Sequence, residues 1–208
     1  MYNKTMKSNN HTDTNISMNT KRIETLVDGI FAIAMTLLVL TLEVPQIPYP
    51  ATNAQILDVL SGMAPQFFIY ALSFLLLATF WRINHSQFNL IKKADQGLVM
   101  INVFWLLLVA LVPFSTNLVG DYGYLTVPMV FFHLNLFLIG VLFNLNWHHA
   151  AKHSLMDESV DKNFVKNQRI INLTLPVSAL IAIGLAFITP EYSPMVYLVI
   201  LFVKRIHF

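Results

Sequence analysis

Six runs of apolar residues, separated by short polar connections, make up most of the chain. A helix that crosses a bilayer needs about 20 mostly apolar residues. The runs are approximately Arg22–Val44, Pro65–Phe88, Gln96–Val119, Tyr124–His148, Gln168–Thr189 and Ser193–Arg205, of which the last is short. The stretch between Thr52 and Gly62 predicts a short amphipathic helix on the membrane surface. The pattern predicts an all-α, polytopic membrane protein with six transmembrane helices in residues 21–208, after a disordered polar tail at residues 1–20.

The positions of the basic residues predict the direction of each span. In a six-span arrangement every lysine and arginine falls on one side, and the connections on the other side carry the acids Glu43, Asp58, Asp121 and Glu191. Cytoplasmic connections are enriched in lysine and arginine. We therefore expect a multi-pass protein of the cell membrane with both termini in the cytoplasm.

Composition excludes several functional classes. Hydrophobic residues make up 56% of the chain and charged residues 12%, and there is no cysteine, which excludes disulfides and thiolate metal sites. The sequence has no nucleophile elbow, no glycine-rich phosphate loop and no H-E-x-x-H helix. We expect neither an enzyme nor a nucleic-acid partner.

The first apolar run opens with two ionisable residues, which are costly at membrane depth and therefore often functional. Arg22 and Asp28 are six residues apart, about 240° around an α-helix, so each needs a partner elsewhere. Arg22 is long enough to reach the membrane surface. For the shorter Asp28 the favoured interpretation is a structural hydrogen bond or ion pair; direct contact with a permeating ion is the alternative.

Two stripes follow along this helix, one of large aliphatic residues and one of small residues. They are Ile33, Leu37 and Leu40, and beside them Gly29, Ala32 and Thr36. Small residues allow helices in lipid to pack closely. From composition alone, the large stripe is expected to face lipid.

Histidines near the helix ends have several interpretations. His85 follows Trp81 by one turn, in a segment typical of an interfacial anchor. His149 and His153 have a spacing that can bind zinc, but no acidic or cysteine ligand lies nearby in the sequence, so no metal site is predicted. Interfacial packing is favoured for them over pH sensing. His133, alone in the fourth run, is expected to hydrogen-bond a neighbouring helix.

Two motifs stand out in the first two helices. They are Arg22 and Asp28 followed by Gly29-Ile-Phe-Ala-Ile-Ala-Met-Thr-Leu-Leu-Val-Leu40, and Phe80-Trp81-x-x-x-His85-x-x-Phe88. Together they resemble the transmembrane protein 175 family of potassium channels, and more narrowly its six-helix prokaryotic branch. The family's R-x-x-x-F-S-D signature keeps Arg22 and Asp28 here, but Leu26 and Val27 replace its Phe and Ser.

The resemblance implies a homotetramer whose first helices line a central pore, with the large stripe turned inward. It implies a passive, weakly selective potassium channel that has membrane lipids around it and no cofactor besides the permeant ion. The implied site residues are Ile33, Leu37 and Leu40 as the pore constriction, Thr36 for potassium preference, and Arg22, Asp28, His85 and Trp81 as a structural polar network.

Other transport mechanisms remain open. Secondary transporters tend to have broken helices and inverted repeats, and Pro113 and Pro176 could kink helices here, although no repeat relates the two halves. A proton-permeable pathway is a further alternative. The sequence between Val119 and Tyr124 superficially resembles a potassium-channel filter. Its connection is too short for a re-entrant loop, so we interpret Gly120 and Gly123 as turn residues.

Overall fold

The computed structural model describes residues 20–198 and residue 200, and the regular structure of this part is helical. The α-helices are α1 (Thr20–Leu37), α2 (Asn53–Gly62), α3 (Ala64–Phe88), α4 (Gln96–Ala110), α5 (Val112–Tyr122), α6 (Thr126–Lys152), α7 (Lys162–Asn172) and α8 (Thr174–Ala186). Two 3₁₀ helices, Leu38–Thr41 and Pro190–Tyr197, complete them. The predicted all-α class is thus confirmed for the described residues.

Five stretches of the described chain are long and apolar enough to cross a membrane. They are Thr20–Thr41, Ala64–Phe88, Gln96–Tyr122, Thr126–Lys152 and Lys162–Ala186. A sixth span is not confirmed. The run predicted from Ser193 begins inside the 3₁₀ helix Pro190–Tyr197, and residues 199 and 201–208 lie outside the described part, as do residues 1–19 of the predicted tail.

Two of the five spans are interrupted just before a proline. α4 and α5 are separated at Leu111, two residues before Pro113, and α7 and α8 at Leu173, three residues before Pro176. Proline lacks an N–H and clashes with the preceding turn, so a helix breaks or bends ahead of it. The third and fifth spans therefore each consist of two helical segments.

The glycines after the third span differ from the prediction. Gly120 lies inside α5, and the turn begins only at Gly123. A Cβ on Gly123 would lie 2.6 Å from the Val119 carbonyl oxygen, so only glycine fits where the helix ends. The interpretation of Gly120 as a turn residue was wrong because the helix continues past it.

The predicted surface helix is present as α2. Thr52 caps it: its hydroxyl accepts a hydrogen bond from the Gln55 amide, and the Gln55 side chain accepts one from the Thr52 amide. This reciprocal pair satisfies two amides that a helix start leaves open. None of the α2 residues is buried.

The two basic connections lie side by side at one end of the bundle. Ile91 and Met156 form an isolated antiparallel bridge, and the Lys92 and Asp157 amides donate hydrogen bonds to Leu155 and Leu90 carbonyls. The Lys92 ammonium also lies 3.8 Å from an Asp157 carboxylate oxygen. The connections that the charge pattern assigned to one side therefore meet in space.

α6 packs closely against α8 at the centre of the bundle. A Cβ on Gly140 would lie 2.7 Å from Pro176 Cδ, so the absence of a side chain allows the two helices to touch. Aromatic rings fill the core beside it, with Trp105 between Phe31 and Phe143 at ring-centroid distances of 5.4 and 5.5 Å. Through Phe31, this packing attaches α1 to α4.

Candidate functional site

Helix α1 has one face that packs within its own chain. The buried residues are Ile23, Val27, Phe31 and Ala34, followed by Leu38 in the adjoining 3₁₀ helix. Their spacing of three and four residues makes a continuous stripe against α3, α4 and α5. The orientation of the helix within one chain is set by this stripe.

The opposite face of α1 carries the predicted pore residues. Ile33, Leu37 and Leu40 are 60%, 43% and 69% exposed, whereas Val27 and Phe31 are 2% and 0% exposed. Gly29, Ala32 and Thr36 are exposed as well, and a Cβ on Gly29 would meet no atom within 4 Å. In one chain this face is accessible along the whole length of the helix.

Thr36 presents a hydroxyl oxygen on the exposed face. Its Oγ1 lies 3.0 Å from the Ala32 carbonyl oxygen and 2.9 Å from that of Ile33, so the hydroxyl hydrogen is donated into the helix. The lone pairs of the oxygen then point away from the backbone. Such an oxygen accepts hydrogen bonds or coordinates a cation without losing its own bond.

The polar end of α1 is joined to α3. Trp81 donates a hydrogen bond from Nε1 to Asp28 Oδ1 over 2.8 Å, and the Trp81 ring stacks against His85 with centroids 6.3 Å apart. A small cleft beside them is lined by these residues together with Glu24, Val27 and Asn84. The structure thus brings together Asp28, Trp81 and His85. Arg22 lies exposed on the preceding turns of α1.

Hydrogen-bonded pairs of buried polar side chains join α3 to α7, α4 to α6 and α5 to α3. Gln87 donates to Asn172, Asn102 to Asn146 and the Thr116 hydroxyl to Ser73, over 3.0, 3.2 and 2.8 Å. Sequence reasoning did not identify these pairs, although polar residues inside apolar runs are the signal for them, because lipid offers no hydrogen-bond partner.

His133 has two partners near the second 3₁₀ helix. Its Nδ1 lies 2.9 Å from the Tyr197 hydroxyl and its Nε2 2.8 Å from the Ser193 hydroxyl. All three side chains are fully buried. The expected hydrogen bond to a neighbouring element is present, and it comes from the segment that was predicted to open a sixth span.

A second polar cluster, missed from the sequence, joins α4 to α6. His149 Nε2 lies 2.9 Å from both carboxylate oxygens of Asp95, which also caps α4 by accepting a bond from the Leu98 amide. Partial burial raises the pKa of the Asp95 carboxyl, but the bonds from Leu98 and His149 outweigh it and hold that pKa below its usual value. Because the two residues are 54 positions apart, nothing in their sequence spacing indicates that they interact.

The fold defines a multi-pass α-helical membrane protein with a first helix that is packed on one face and exposed on the other. The chain belongs to the TMEM175 family of ion channels. Its residues 22–113 match the family described as "Endosomal/lysosomal potassium channel TMEM175", and this segment contains every predicted site residue. The resemblance inferred from the first two helices is confirmed.

Several known proteins are similar to this chain in sequence, and one solved structure is similar to it in fold. A potassium channel of Chamaesiphon minutus is 36% identical over 137 residues, which cover 64% of this chain and 66% of that protein. The crystal structure of a lysosomal potassium-selective channel TMEM175 homolog from Chamaesiphon minutus superposes with a TM-score of 0.79 at 29% identity, covering 90% of this chain and 97% of that one. The mouse "Endosomal/lysosomal proton channel TMEM175" is 29% identical over 108 residues, 50% of this chain but 22% of that protein.

Proposed function

We propose that this protein is a passive, weakly selective potassium channel in which four copies surround a pore lined by α1. The observation that carries the proposal is the face of α1 with Ile33, Leu37, Leu40 and Thr36, which its own chain leaves exposed. Family membership and the relatives named as potassium channels support the permeant ion.

The polar groups of the exposed face favour burial between copies over contact with lipid. Asp28 is exposed although it lies within an apolar span, and a carboxylate within hydrocarbon costs several kcal/mol. Gly29 and Ala32 make one side of this face nearly flat, which lets neighbouring helices approach closely. A water-filled axis between closely packed identical copies would account for both the exposed carboxylate and the small residues.

A ring of large aliphatic side chains at Ile33, Leu37 and Leu40 would form a hydrophobic constriction. Such constrictions close by dewetting, and an ion that crosses must give up part of its hydration shell. Potassium loses water more readily than sodium, which gives a modest preference. The outward lone pairs of Thr36 would coordinate a partly dehydrated cation next to the ring.

The Asp28–Trp81 hydrogen bond and the adjoining His85 would brace the polar end of the pore helix against α3, with Arg22 completing the network in the assembly. The protein would lie in the cell membrane among lipids, with the paired basic connections and both termini in the cytoplasm. The acidic connections of the other face would raise the local cation concentration there.

Recording from the purified protein in planar bilayers tests the proposal. With potassium on one side and sodium on the other, a channel gives unitary openings and a reversal potential displaced toward potassium. Flux that requires a coupled gradient and shows no unitary openings would contradict it and indicate a secondary transporter.

Proton conduction is a second candidate, because the relatives named as proton channels match half of this chain. A pH-sensitive dye inside liposomes distinguishes the two. Acidification driven by a membrane potential in potassium-free buffer would support a proton pathway, whereas potassium-dependent current at constant internal pH would support the potassium channel.

A further inference from the structure

Asp95, His149 and His153 form a cluster at the end of the bundle where the basic connections lie. Each offers one oxygen or nitrogen ligand atom, and these atoms all lie within 4.8 Å of one another. The side chains come from the N-terminal cap of α4 and the C-terminal end of α6, so the cluster joins two helices.

The histidine spacing and the local backbone hold the cluster together. His149 and His153 are one helical turn apart, and their rings stack with centroids at 4.3 Å. A Cβ on Gly97 would lie 2.7 Å from His149 Cε1, so this glycine lets the imidazole reach the Asp95 carboxylate. The carboxylate of the cluster is therefore supplied by another helix.

We propose that Asp95, His149 and His153 bind a divalent transition metal of the zinc type. Two imidazoles and one carboxylate are a common zinc ligand set, in which water fills the remaining position. Zinc lies about 2.0–2.2 Å from such ligands, so tetrahedral ligand atoms are about 3.3 Å apart. Small side-chain rotations close the present cluster to that separation.

The cluster is accessible and differs from sites for hard cations. His153 is exposed and the other two residues are half-buried, so a metal can enter from water. Imidazole suits zinc, cobalt and nickel, whereas magnesium and calcium prefer sites made of oxygen atoms alone. The bound metal would link the start of α4 to the end of α6. This site is independent of the proposed pore.

Calorimetric titration of zinc into the full chain, purified without a histidine tag and held in nanodiscs, tests the assignment. The expected result is one saturable site per chain. His153→Gln and Asp95→Asn should each weaken binding at least tenfold, and asparagine still caps α4. His148→Gln is the matched control because it removes the adjacent histidine from the same helix end, and it should bind as the wild type does.

Cobalt gives an independent readout through its visible absorption. The wild type should show the intense bands of a four-coordinate site, and His153→Gln should lose most of that intensity. Absence of saturable binding, equal affinity of all variants, or displacement of zinc by a tenfold excess of magnesium would overturn the proposal.

Discussion

Helices α6 and α1 both belong to stretches that are long and apolar enough to cross a membrane, but they relate to their own chain in opposite ways. Half of the most apolar stretch of Thr126–Lys152 is buried, against 28% for Thr20–Thr41, the smallest share among the described spans. Along α6 the polar side chains His133 and Asn146 find partners within the chain. Along α1, Asp28 and Thr36 are exposed, although Asp28 accepts a hydrogen bond from Trp81 and the Thr36 hydroxyl bonds its own helix.

This contrast supports the proposal that α6 organises the folded subunit whereas α1 is completed by other copies. Substitutions that obstruct α6 should prevent folding, whereas substitutions on the exposed face of α1 should leave the subunit folded and change assembly or conduction.

Gly140→Leu should abolish the folded protein. Its side chain would collide with Pro176 on α8, because even a Cβ comes within 2.7 Å of the proline ring. We expect a destabilisation of about 3 kcal/mol or more, measured by thermal unfolding in detergent. Gly184→Leu is the control, since a Cβ there meets no atom within 4 Å, and a similar loss in this variant would disprove the steric explanation.

In the proposed four-copy assembly, Asp28→Ala should release folded smaller species. It removes the acceptor of the Trp81 indole N–H within each chain, a loss of about 1 kcal/mol per copy, and so loosens the attachment to α3 of the α1 end that is proposed to pack between copies. Native mass spectrometry measures the stoichiometry. Asp28→Asn retains an acceptor oxygen and should restore assembly, and Thr25→Ala on the same exposed end should have no effect. Fully intact tetramers of Asp28→Ala would argue against the bracing role.

Ile33→Asn should raise the single-channel conductance several-fold or reduce the preference for potassium. A polar side chain at the proposed constriction would keep it hydrated, so that ions cross without shedding water. Because Ile33 is 60% exposed, the subunit should fold normally. Ile181→Asn makes the same change at an exposed position of α8 and should leave currents unaltered. Unchanged currents in Ile33→Asn would exclude this residue from the pore.

Thr36→Ala should reduce the potassium preference by a few-fold, which corresponds to less than about 1.4 kcal/mol. The substitution removes the outward oxygen and keeps the helix intact. Reversal potentials under bi-ionic conditions measure the effect, and Thr36→Ser, which retains a hydroxyl, should behave as the wild type does. An identical reversal potential in the alanine variant would refute the role of the hydroxyl.

Much of the fold follows from local pattern. Hydrophobic length located five spans, the stretch between Thr52 and Gly62 predicted α2, and Pro113 and Pro176 lie just after the two helix breaks. These features depend on neighbours within a few residues, so sequence reasoning reaches them.

The site was less accessible to such reasoning. Periodicity shows that Ile33, Leu37 and Leu40 share a face, but which face a helix turns to its own chain depends on how all the helices pack. Composition alone predicted that this face contacts lipid, whereas the family resemblance predicted that it lines a pore. The pairing of Asp95 with His149 depends on the positions of two helices that are distant in sequence, and no local signal marks it.

The main-chain bonds between residues 90–93 and 155–157 have a practical consequence for labelling. The connection after Lys152 is not a free loop, because its backbone is hydrogen-bonded to the connection between α3 and α4. A fluorescent protein or epitope inserted there would break those hydrogen bonds and disturb both connections. The exposed segment around Tyr49, between the first span and α2, is the better insertion point, since none of its residues is fully buried.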